Sequence, residues 1–413
     1  MAIVKPFPCL RPDPALAGRV AALPYDVYSR AEAREVTKEE PISFLNIDRP
    51  ETQFSPDTDM YSRPVYERAA ALIREWEGKG IFVRDDAPCF YLWEETMEGR
   101  SQTGIVGCSA VDDYLSGVIC RHENTRRDKE EDRIRHIDIT GAQTGPIFLA
   151  FRDSEDIRVL MEAEKKKDCL YRFTTKEGVI HRVWRIVDPD ICRQFTEGFA
   201  ALPHTYIADG HHRAASAVEV AKMRREKAVV QTGEEPYQTF LSVLFPQSEL
   251  RIMDYNRVVK DLNGRTSEAF LSELEKEWVV THVANAREAK PAKKLHMGMY
   301  LDGQWYTLSP RVSMMTGDAV EDLDVSILQN RVLAPILGIS DPRTDERIGF
   351  IGGIRGLREL ERRCSLDMKV AFAMYPTSME ELFSVADEGR LMPPKSTWFE
   401  PKLLSGLFIH EIG

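Results

Sequence analysis

The sequence predicts an α/β fold, more specifically an α+β arrangement in which helices accompany a mixed sheet. The pattern of apolar residues along the chain predicts it. Stretches with the alternating or short apolar patterns of strands are interspersed with longer stretches whose apolar residues recur at helical spacing. The chain also has 413 residues, 43% hydrophobic and 29% charged. This composition is typical of folded proteins, and this length usually divides into more than one domain.

The elements can be predicted in order along the chain. The first helix is expected to begin at a capping box, with Ser29 as the N-cap and Glu32 at the N3 position. Helical spacing predicts further helices at 60–80, 126–137, 214–226, 267–278, 325–339 and 378–390. Alternating or short apolar runs predict strands at 42–47, 89–96, 100–111, 117–123, 145–151, 179–187, 205–208, 239–245, 295–301, 304–309 and 370–376.

This order of elements divides the chain into three predicted parts. Residues 1–250 are expected to form the catalytic α/β domain, and residues 251–330 a small α+β domain. Residues 331–413 are expected to form a C-terminal α/β segment that packs back on the active site.

Charge and cysteine content restrict the function classes. A formal net charge of −11 repels nucleic acid and anionic lipid, so any phosphate site must be a local pocket. We expect neither a signal peptide at the proline-broken N-terminus nor a membrane span, because no apolar run reaches ~20 residues. The seven cysteines never form a C-x-x-C pair, which indicates reduced thiols and a cytoplasmic protein.

The strongest candidate site is one strand-to-helix turn, which contains Asp209, Gly210, His211, His212 and Arg213. A helix start offers unsatisfied N–H groups and partial positive charge, and therefore attracts anions. Glycine permits close backbone approach, arginine donates to phosphate, and the aspartate caps the helix or holds magnesium. The alternative is a plain cap with exposed histidines. A metal–histidine site is disfavoured, because adjacent histidines point apart and no third ligand lies at helical spacing.

A second candidate pair, His122 and Glu123, follows a predicted strand and precedes the helix at 126–137. A carboxylate there can bind magnesium or accept a proton, although a purely structural role is an equal alternative. Thr125 and Asp128 could form a weak capping box. The charges further along this helix are expected to form a solvated face with i,i+4 pairs such as Arg127 with Glu131.

Two loops supply the remaining candidates. Asp26 lies between a proline turn and the first helix, flanked by aromatic residues, and is a candidate general base. Lys395 follows a double proline and precedes two hydroxyl residues, a combination that suits phosphate. Neither the glycine-rich Walker pattern nor a G-x-G-x-x-G motif after a strand is present, so a dinucleotide-binding fold is not expected.

Four motifs occur in one order: "LPYDV", "RHENTRRDKEEDR", "YIADGHHRAASA" and "MPPKSTWFEPK". Together they resemble the DUF1015 family over essentially the whole chain. The GHHR turn is also similar to the phosphate-binding loop of the ParB/sulfiredoxin-like superfamily. The resemblance implies a ParB/sulfiredoxin-like core with additional α+β segments. Some members of the family resemble free-serine kinases, which convert L-serine to O-phosphoserine with ATP, ADP or pyrophosphate as donor.

The resemblance also implies roles for residues. The residues from Asp209 to Arg213 would bind the donor phosphates, with Mg²⁺ held by Asp209 and Glu123. His122 and Glu123 would join that pocket, and Lys395 would contact the donor. Asp26 and Glu123 are alternative candidates for the catalytic base, and His122 is the next candidate.

The implied function is magnesium-dependent phosphoryl transfer to a small hydroxylated metabolite. A sulfiredoxin activity is disfavoured because no cysteine lies in the turn, and DNA partitioning because the chain is acidic. A nucleotide-binding regulator without turnover and a nucleotide or phosphate-ester hydrolase remain open, because a fold does not fix a reaction. The expected partner is a small-molecule substrate, and a homo-oligomer is compatible with the sequence.

Overall fold

The computed structural model describes residues 1–125 and 127–413. Contacts divide the chain into two compact units: Met1–Leu250 together with Pro401–Gly413, and Arg251–Glu400. The capping box expected at Thr125 and Asp128 depends on the side chain of Asp128, which lies outside the described part of the chain. Among the described residues, no helix has both the length and the apolar character required to cross a bilayer.

The α-helices occur throughout both units. In chain order they are α1 (Ala17–Val20), α2 (Arg30–Glu39), α3 (Leu45–Asp48), α4 (Arg63–Gly78), α5 (Val111–Ser116), α6 (Arg127–Thr140), α7 (Glu155–Glu164), α8 (Pro189–Ala200), α9 (His211–Lys227), α10 (Ser267–Leu274), α11 (Ala286–Ala289), α12 (Asp324–Leu328), α13 (Leu357–Leu366) and α14 (Met379–Asp387).

The strands of the first unit include most of the predicted ones. They are β1 (Val4–Lys5), β2 (Leu10–Pro12), β3 (Phe82–Arg84), β4 (Phe90–Met97), β5 (Arg100–Ala110), β6 (Ile119–Cys120), β7 (Ala142–Gln143), β8 (Ile147–Phe151), β9 (Tyr171–Thr174), β10 (Ile180–Ile186), β11 (Thr205–Asp209) and β12 (Thr239–Pro246). The second unit contains β13 (Ile252–Met253), β14 (Tyr255–Val259), β15 (Trp278–Val283), β16 (Met297–Leu301), β17 (Gln304–Pro310), β18 (Ile348–Gly352), β19 (Val370–Ala373) and β20 (Trp398–Phe399), and β21 (His410–Glu411) returns to the first unit.

The main sheet of the first unit has the order β6-β11-β8-β12-β5-β4-β10-β9, with β1 also paired to β5. β6 runs parallel to β11 and β8 parallel to β12, whereas β11 and β8 are antiparallel. The predicted α/β class with a mixed sheet is therefore confirmed. The ParB/sulfiredoxin-like core stays a prediction.

This strand order determines which loops meet at one edge of the sheet. Thr205 pairs with Ile119 and Tyr206 with Cys120 in the parallel pair, so the loops that follow β6 and β11 leave the sheet side by side. Because β8 is antiparallel to β11, the loop that precedes β8 reaches the same edge. Three loops far apart in sequence thus converge there.

Helix α9 is anchored against this sheet. Its side chains Ala214, Ala217 and Val218 are buried in the hydrophobic core that includes Leu149 and Ile207. Burial of an apolar helix face stabilises a helix more than its intrinsic propensity does. The core packing therefore fixes the position of the first turn of α9 at the sheet edge.

Two of the predicted elements differ in the structure. The strand predicted at 42–47 is wrong: its second half belongs to α3, and Phe44, Leu45 and Ile47 are fully buried. A short apolar run cannot by itself distinguish a buried strand from a buried helix. The helix predicted at 325–339 begins as α12 but continues as a π-helical turn at Gln329–Leu333, and Pro335 further along lacks the N–H that a regular helix would use.

The second unit contains a sheet with the order β15-β17-β16-β19-β14-β18, antiparallel throughout. Because β14 pairs with both β18 and β19, one sheet joins stretches that the sequence pattern had divided between 251–330 and 331–413. The chain returns to the first unit at Pro401.

Candidate functional site

The parallel pair β6 and β11 brings together the two charge clusters predicted from the sequence. His122 follows β6 and His211 follows β11, and their ring centroids lie 4.6 Å apart in an edge-to-face arrangement. Glu123 joins them: one ligand atom from each of His122, Glu123 and His211 lies within 4.8 Å of the others. The structure therefore places His122 and Glu123 beside the GHHR turn, as the shared-pocket hypothesis requires.

The start of α9 depends on a glycine. Gly210 is the N-cap residue, with a positive φ of 91°, a conformation that side-chain-bearing residues rarely adopt. A Cβ at this position would also lie 3.1 Å from Nε and Nη2 of Arg213. Since glycine has no side chain, the N-cap residue leaves the first-turn N–H groups without a side-chain cap.

The guanidinium of Arg213 folds back over this turn. Its Nη1 donates a 2.6 Å hydrogen bond to the carbonyl oxygen of Pro146, in the loop before β8. Its Nε and Nη2 lie on the opposite side, against Gly210. Through its Nε and Nη2 atoms, arginine can donate two parallel hydrogen bonds to a carboxylate or a phosphate.

Asp209 is held by an ion pair with a residue far away in the chain. Its Oδ1 accepts from the backbone N–H of Gly210 at 2.8 Å, and its Oδ2 accepts from Nζ of Lys402 at 3.2 Å. Burial favours a higher pKa for Asp209, but the positive charges of Lys402 and Arg213 outweigh it and hold the pKa well below the usual range. Asp209 is therefore ionised and paired.

Both histidines of the cluster are buried and neutral. Burial lowers the pKa of His122 to about 4. The pKa of His211 is lowered well below its ordinary value, first by burial and then by the neighbouring His122. The alternative of exposed turn histidines is wrong for His211, which is 6% exposed. His212, the next residue, is half-buried.

The donor atoms do not favour the predicted magnesium site. Among the described residues, the group with metal-ligand spacing combines two imidazoles with Glu123 and does not include Asp209. Mg²⁺ prefers oxygen donors in an octahedral arrangement, and the oxygens of Asp209 already accept from Lys402 and Gly210. Asp209 and Glu123 as joint magnesium ligands stay a prediction, and we route no chemical step through that ion.

One cavity adjoins the turn, and a second cavity shares lining residues with it. The smaller, of about 30 Å³, is lined by Arg213, Tyr25 and Arg133, among others. The larger, of about 640 Å³, is lined by Asp26 and again by Tyr25 and Arg133. The guanidinium of Arg133 lies over the Tyr25 ring, 4.0 Å from its centroid, so this stacked pair forms a wall common to both cavities.

Asp26 lines the larger cavity. It is exposed, in a 3₁₀ turn at Tyr25–Val27. The same cavity is lined by residues of both charge signs and by tyrosines: Asp48, Arg49, Glu51, Tyr61, Tyr66, Glu131, Asp132, Arg133 and Arg135. A space of this size and polarity suits a small charged metabolite.

Helix α6 corrects the expectation of a solvated charged face. Arg127, 91% exposed, pairs with Glu131 at 3.2 Å as expected. The opposite face of the helix is buried: Arg133 is 7% exposed and His136 is 1% exposed. Arg133, His136 and Thr140 lie at i, i+3 and i+7 and therefore form a polar stripe on one face of the helix. Their spacing in the sequence was the signal that could have predicted this stripe.

The tail motif contains two lysines, and the structure separates them. Lys402 belongs to the first unit and bonds Asp209. Lys395 belongs to the second unit, where its Nζ lies 6.0 Å from the centroid of the Tyr255 ring. Donor binding by Lys395 stays a prediction, whereas Lys402, which was not among the residues predicted from the sequence, lies at the turn.

Comparison with protein families finds one described as "Protein of unknown function (DUF1015)", whose sequence model matches residues 4–326. No curated protein matches the chain.

Comparison with solved structures finds distant similarities. A mutant free serine kinase in complex with AMP has 13% identity and a TM-score of 0.37, with 73% of this chain and 88% of that chain covered. A conserved hypothetical protein from Pyrococcus furiosus has 13% identity and a TM-score of 0.32, with 72% and 90% covered. SbnI from Staphylococcus aureus, truncated at its C-terminus, has 12% identity and a TM-score of 0.36, with 71% and 82% covered.

Proposed function

This chain belongs to the DUF1015 family, and from that premise we propose that it is a phosphotransferase that moves a phosphoryl group onto a small hydroxylated metabolite. The observation that carries the proposal is the start of α9. There a glycine N-cap, the Nε–Nη2 edge of Arg213 and the Lys402–Asp209 ion pair surround one helix N-terminus.

The donor phosphates are assigned to this helix start. Phosphoryl transfer depends chiefly on positioning and on neutralising phosphate charge. First-turn N–H groups, the helix dipole and Arg213 supply both. Lys402 adds a second cation, and its ion pair with Asp209 holds it beside the turn. ATP, ADP and pyrophosphate all present phosphate groups that fit this description, and magnesium that accompanies them remains a prediction.

The acceptor is assigned to the larger cavity, with Asp26 as the general base. Its exposed carboxylate lines a space large enough for a small metabolite, whereas Glu123 lies beside two buried imidazoles. Asp26 would accept the hydroxyl proton as the hydroxyl oxygen bonds to phosphorus and the bond from phosphorus to the leaving oxygen breaks. Transfer also requires the acceptor to reach the phosphate past the wall formed by Tyr25 and Arg133.

L-Serine is the first acceptor to test. The sequence motifs resemble the DUF1015 family, some members of which resemble free-serine kinases. The cavity is also lined by both positively and negatively charged side chains, which an amino acid requires for its carboxylate and ammonium groups. Arg135 and Arg133 could pair with a carboxylate, and Asp132 and Glu131 with an ammonium group.

The test is product analysis with labelled ATP, ADP and pyrophosphate against a panel of hydroxyl-bearing metabolites. A phosphorylated acceptor supports the proposal. Free phosphate alone would indicate a hydrolase, and donor binding without any product would indicate a regulator; both results would overturn it.

The two lysines of the tail provide a matched pair for this assay. Lys402→Ala should weaken the apparent donor affinity by roughly tenfold or more, the scale of a lost hydrogen bond to a charged group. Lys395→Ala tests the role expected from the sequence. Equal effects of the two substitutions would argue against a special part for the ion pair at Asp209.

A further inference from the structure

The cluster of His122, Glu123 and His211 contains donor atoms that phosphate binding does not use. These residues come from the loops after two adjacent parallel strands, β6 and β11. One ligand atom from each lies within 4.8 Å of the others. The sequence alone offered no third ligand for a metal–histidine site, because it comes from a different strand.

A second observation points to a ligand at this cluster. His211 is 6% exposed, and among the described residues its Nε2 is buried without a hydrogen-bond partner. A buried polar atom left unpaired costs free energy, and such atoms in folded proteins usually indicate a bound water, ion or ligand. A metal ion beside His122 and Glu123 would give this nitrogen a partner.

His122 is oriented in the way that metal-binding histidines are. A ring N–H of His122 donates to the backbone carbonyl of Ile207, in the core of β11. This bond fixes the ring and its tautomer, so that the other ring nitrogen carries a lone pair. Metal-ligating histidines almost always have such a backbone or carboxylate partner.

We propose that His122, Glu123 and His211 bind a divalent transition-metal ion, such as Mn²⁺, Fe²⁺, Co²⁺ or Zn²⁺, in preference to Mg²⁺. Imidazole nitrogen suits these metals, whereas Mg²⁺ selects oxygen. Two imidazoles and one carboxylate fill three positions and leave others open for water or an anion.

The inference does not depend on phosphoryl transfer, since metal binding can be measured without nucleotide or acceptor. The full chain, stripped with chelator and dialysed, is titrated with Co²⁺ while its visible absorption is recorded. Metal content after gel filtration is measured by mass spectrometry. We expect one Co²⁺ per chain, displaced by stoichiometric Zn²⁺ but not by millimolar Mg²⁺.

Three variants make the measurement specific. Glu123→Gln keeps the shape of a half-buried side chain and should weaken Co²⁺ binding by at least tenfold, the smallest effect expected even for residues that only support ligands. His211→Gln should do the same. His282→Gln, at an exposed histidine of the second unit, should bind Co²⁺ like the unaltered chain. Circular dichroism verifies that each variant is folded.

The inference fails if Co²⁺ binding is absent, if Glu123→Gln binds as tightly as the unaltered chain, or if Mg²⁺ competes at equal concentration. It also fails if the absorption shows thiolate-to-cobalt charge transfer, because that band would place the ion on a cysteine. If the chain binds the metal but forms no transfer product, the inferred metal site is supported and the proposed function is wrong.

Discussion

Two helix starts in the first unit have opposite designs. At α2 the Ser29 hydroxyl accepts from the N–H of Glu32 at 3.3 Å, and the Glu32 carboxylate accepts from the N–H of Ser29 at 2.8 Å. At α9 the N-cap is Gly210, which has no side chain, and the neighbouring charges belong to Asp209 and Arg213. The first start is capped by its own side chains, whereas the N-cap residue of the second provides no side-chain cap.

The two helix starts differ in the properties that we expect them to affect. A capping box is exposed, local and complete, and its role is stability. The start of α9 is assembled from three loops that converge at one sheet edge, and it combines a glycine with positive φ, buried imidazoles and a long-range ion pair. Substitutions in the capping box of α2 and at the start of α9 should therefore alter different properties.

The largest expected effect is on turnover. Asp26→Asn, three residues before the α2 cap, should lower kcat by ~10²–10⁴-fold because the general base is lost. Donor affinity should change little, since Asp26 lines the acceptor cavity. Steady-state kinetics with separate donor titration measures both. Near-normal turnover would show that Asp26 is not the general base. Glu123 and then His122 would be the next candidates for that role.

The next largest expected effect is on the affinity for the phosphate donor. Arg213→Ala should weaken donor binding by roughly 1.5–3 kcal/mol, the range for hydrogen bonds to charged groups, as measured by calorimetry. The matched control is Arg63→Ala, an arginine at the first position of α4 that is 78% exposed and paired with Glu67. If both variants bind donor equally well, the start of α9 is no different from an ordinary helix start.

The capped helix should respond in the opposite way. Ser29→Ala should lower the free energy of unfolding by about 1 kcal/mol, because the N–H of Glu32 loses its acceptor. Urea unfolding measures the loss, and donor affinity should stay unchanged. A drop in donor affinity without a loss of stability would show that the comparison assigns the two helix starts wrongly.

The smallest effect concerns one carboxyl group. Lys402→Ala should raise the pKa of Asp209 towards its ordinary range, because a neighbouring positive charge is removed. The stabilisation from ionised Asp209 is present above the unfolded-state pKa and is lost as the pH falls through the depressed folded-state pKa. In the variant, that loss should occur at higher pH. Carboxyl-carbon NMR follows the titration, with Glu32 as an unchanged internal reference.

The sequence predicted local features well. The hairpin of β4 and β5, the strand β11 and the helix α9 lie where alternation, helical spacing and turn residues indicated. The capping box at Ser29 is confirmed. These features depend on residues close together in the chain, so a single sequence contains their signal.

What the sequence could not supply depends on pairing between distant segments. The parallel register of β6 with β11 joins His122 to His211 across 89 residues of chain, and no local pattern encodes that register. Lys402 reaches Asp209 from the tail, while the motif drew attention to Lys395 instead. Arg133 is buried against Tyr25, although its charged neighbourhood resembles a solvated helix.

The most direct test of the account is a crystal structure with bound ADP or pyrophosphate. We predict a phosphate oxygen within hydrogen-bond distance, about 2.7–3.2 Å, of backbone N–H groups between Gly210 and Arg213. The Nε–Nη2 edge of Arg213 should contact the same phosphate. A donor bound elsewhere at full occupancy, with the start of α9 empty, would contradict the account.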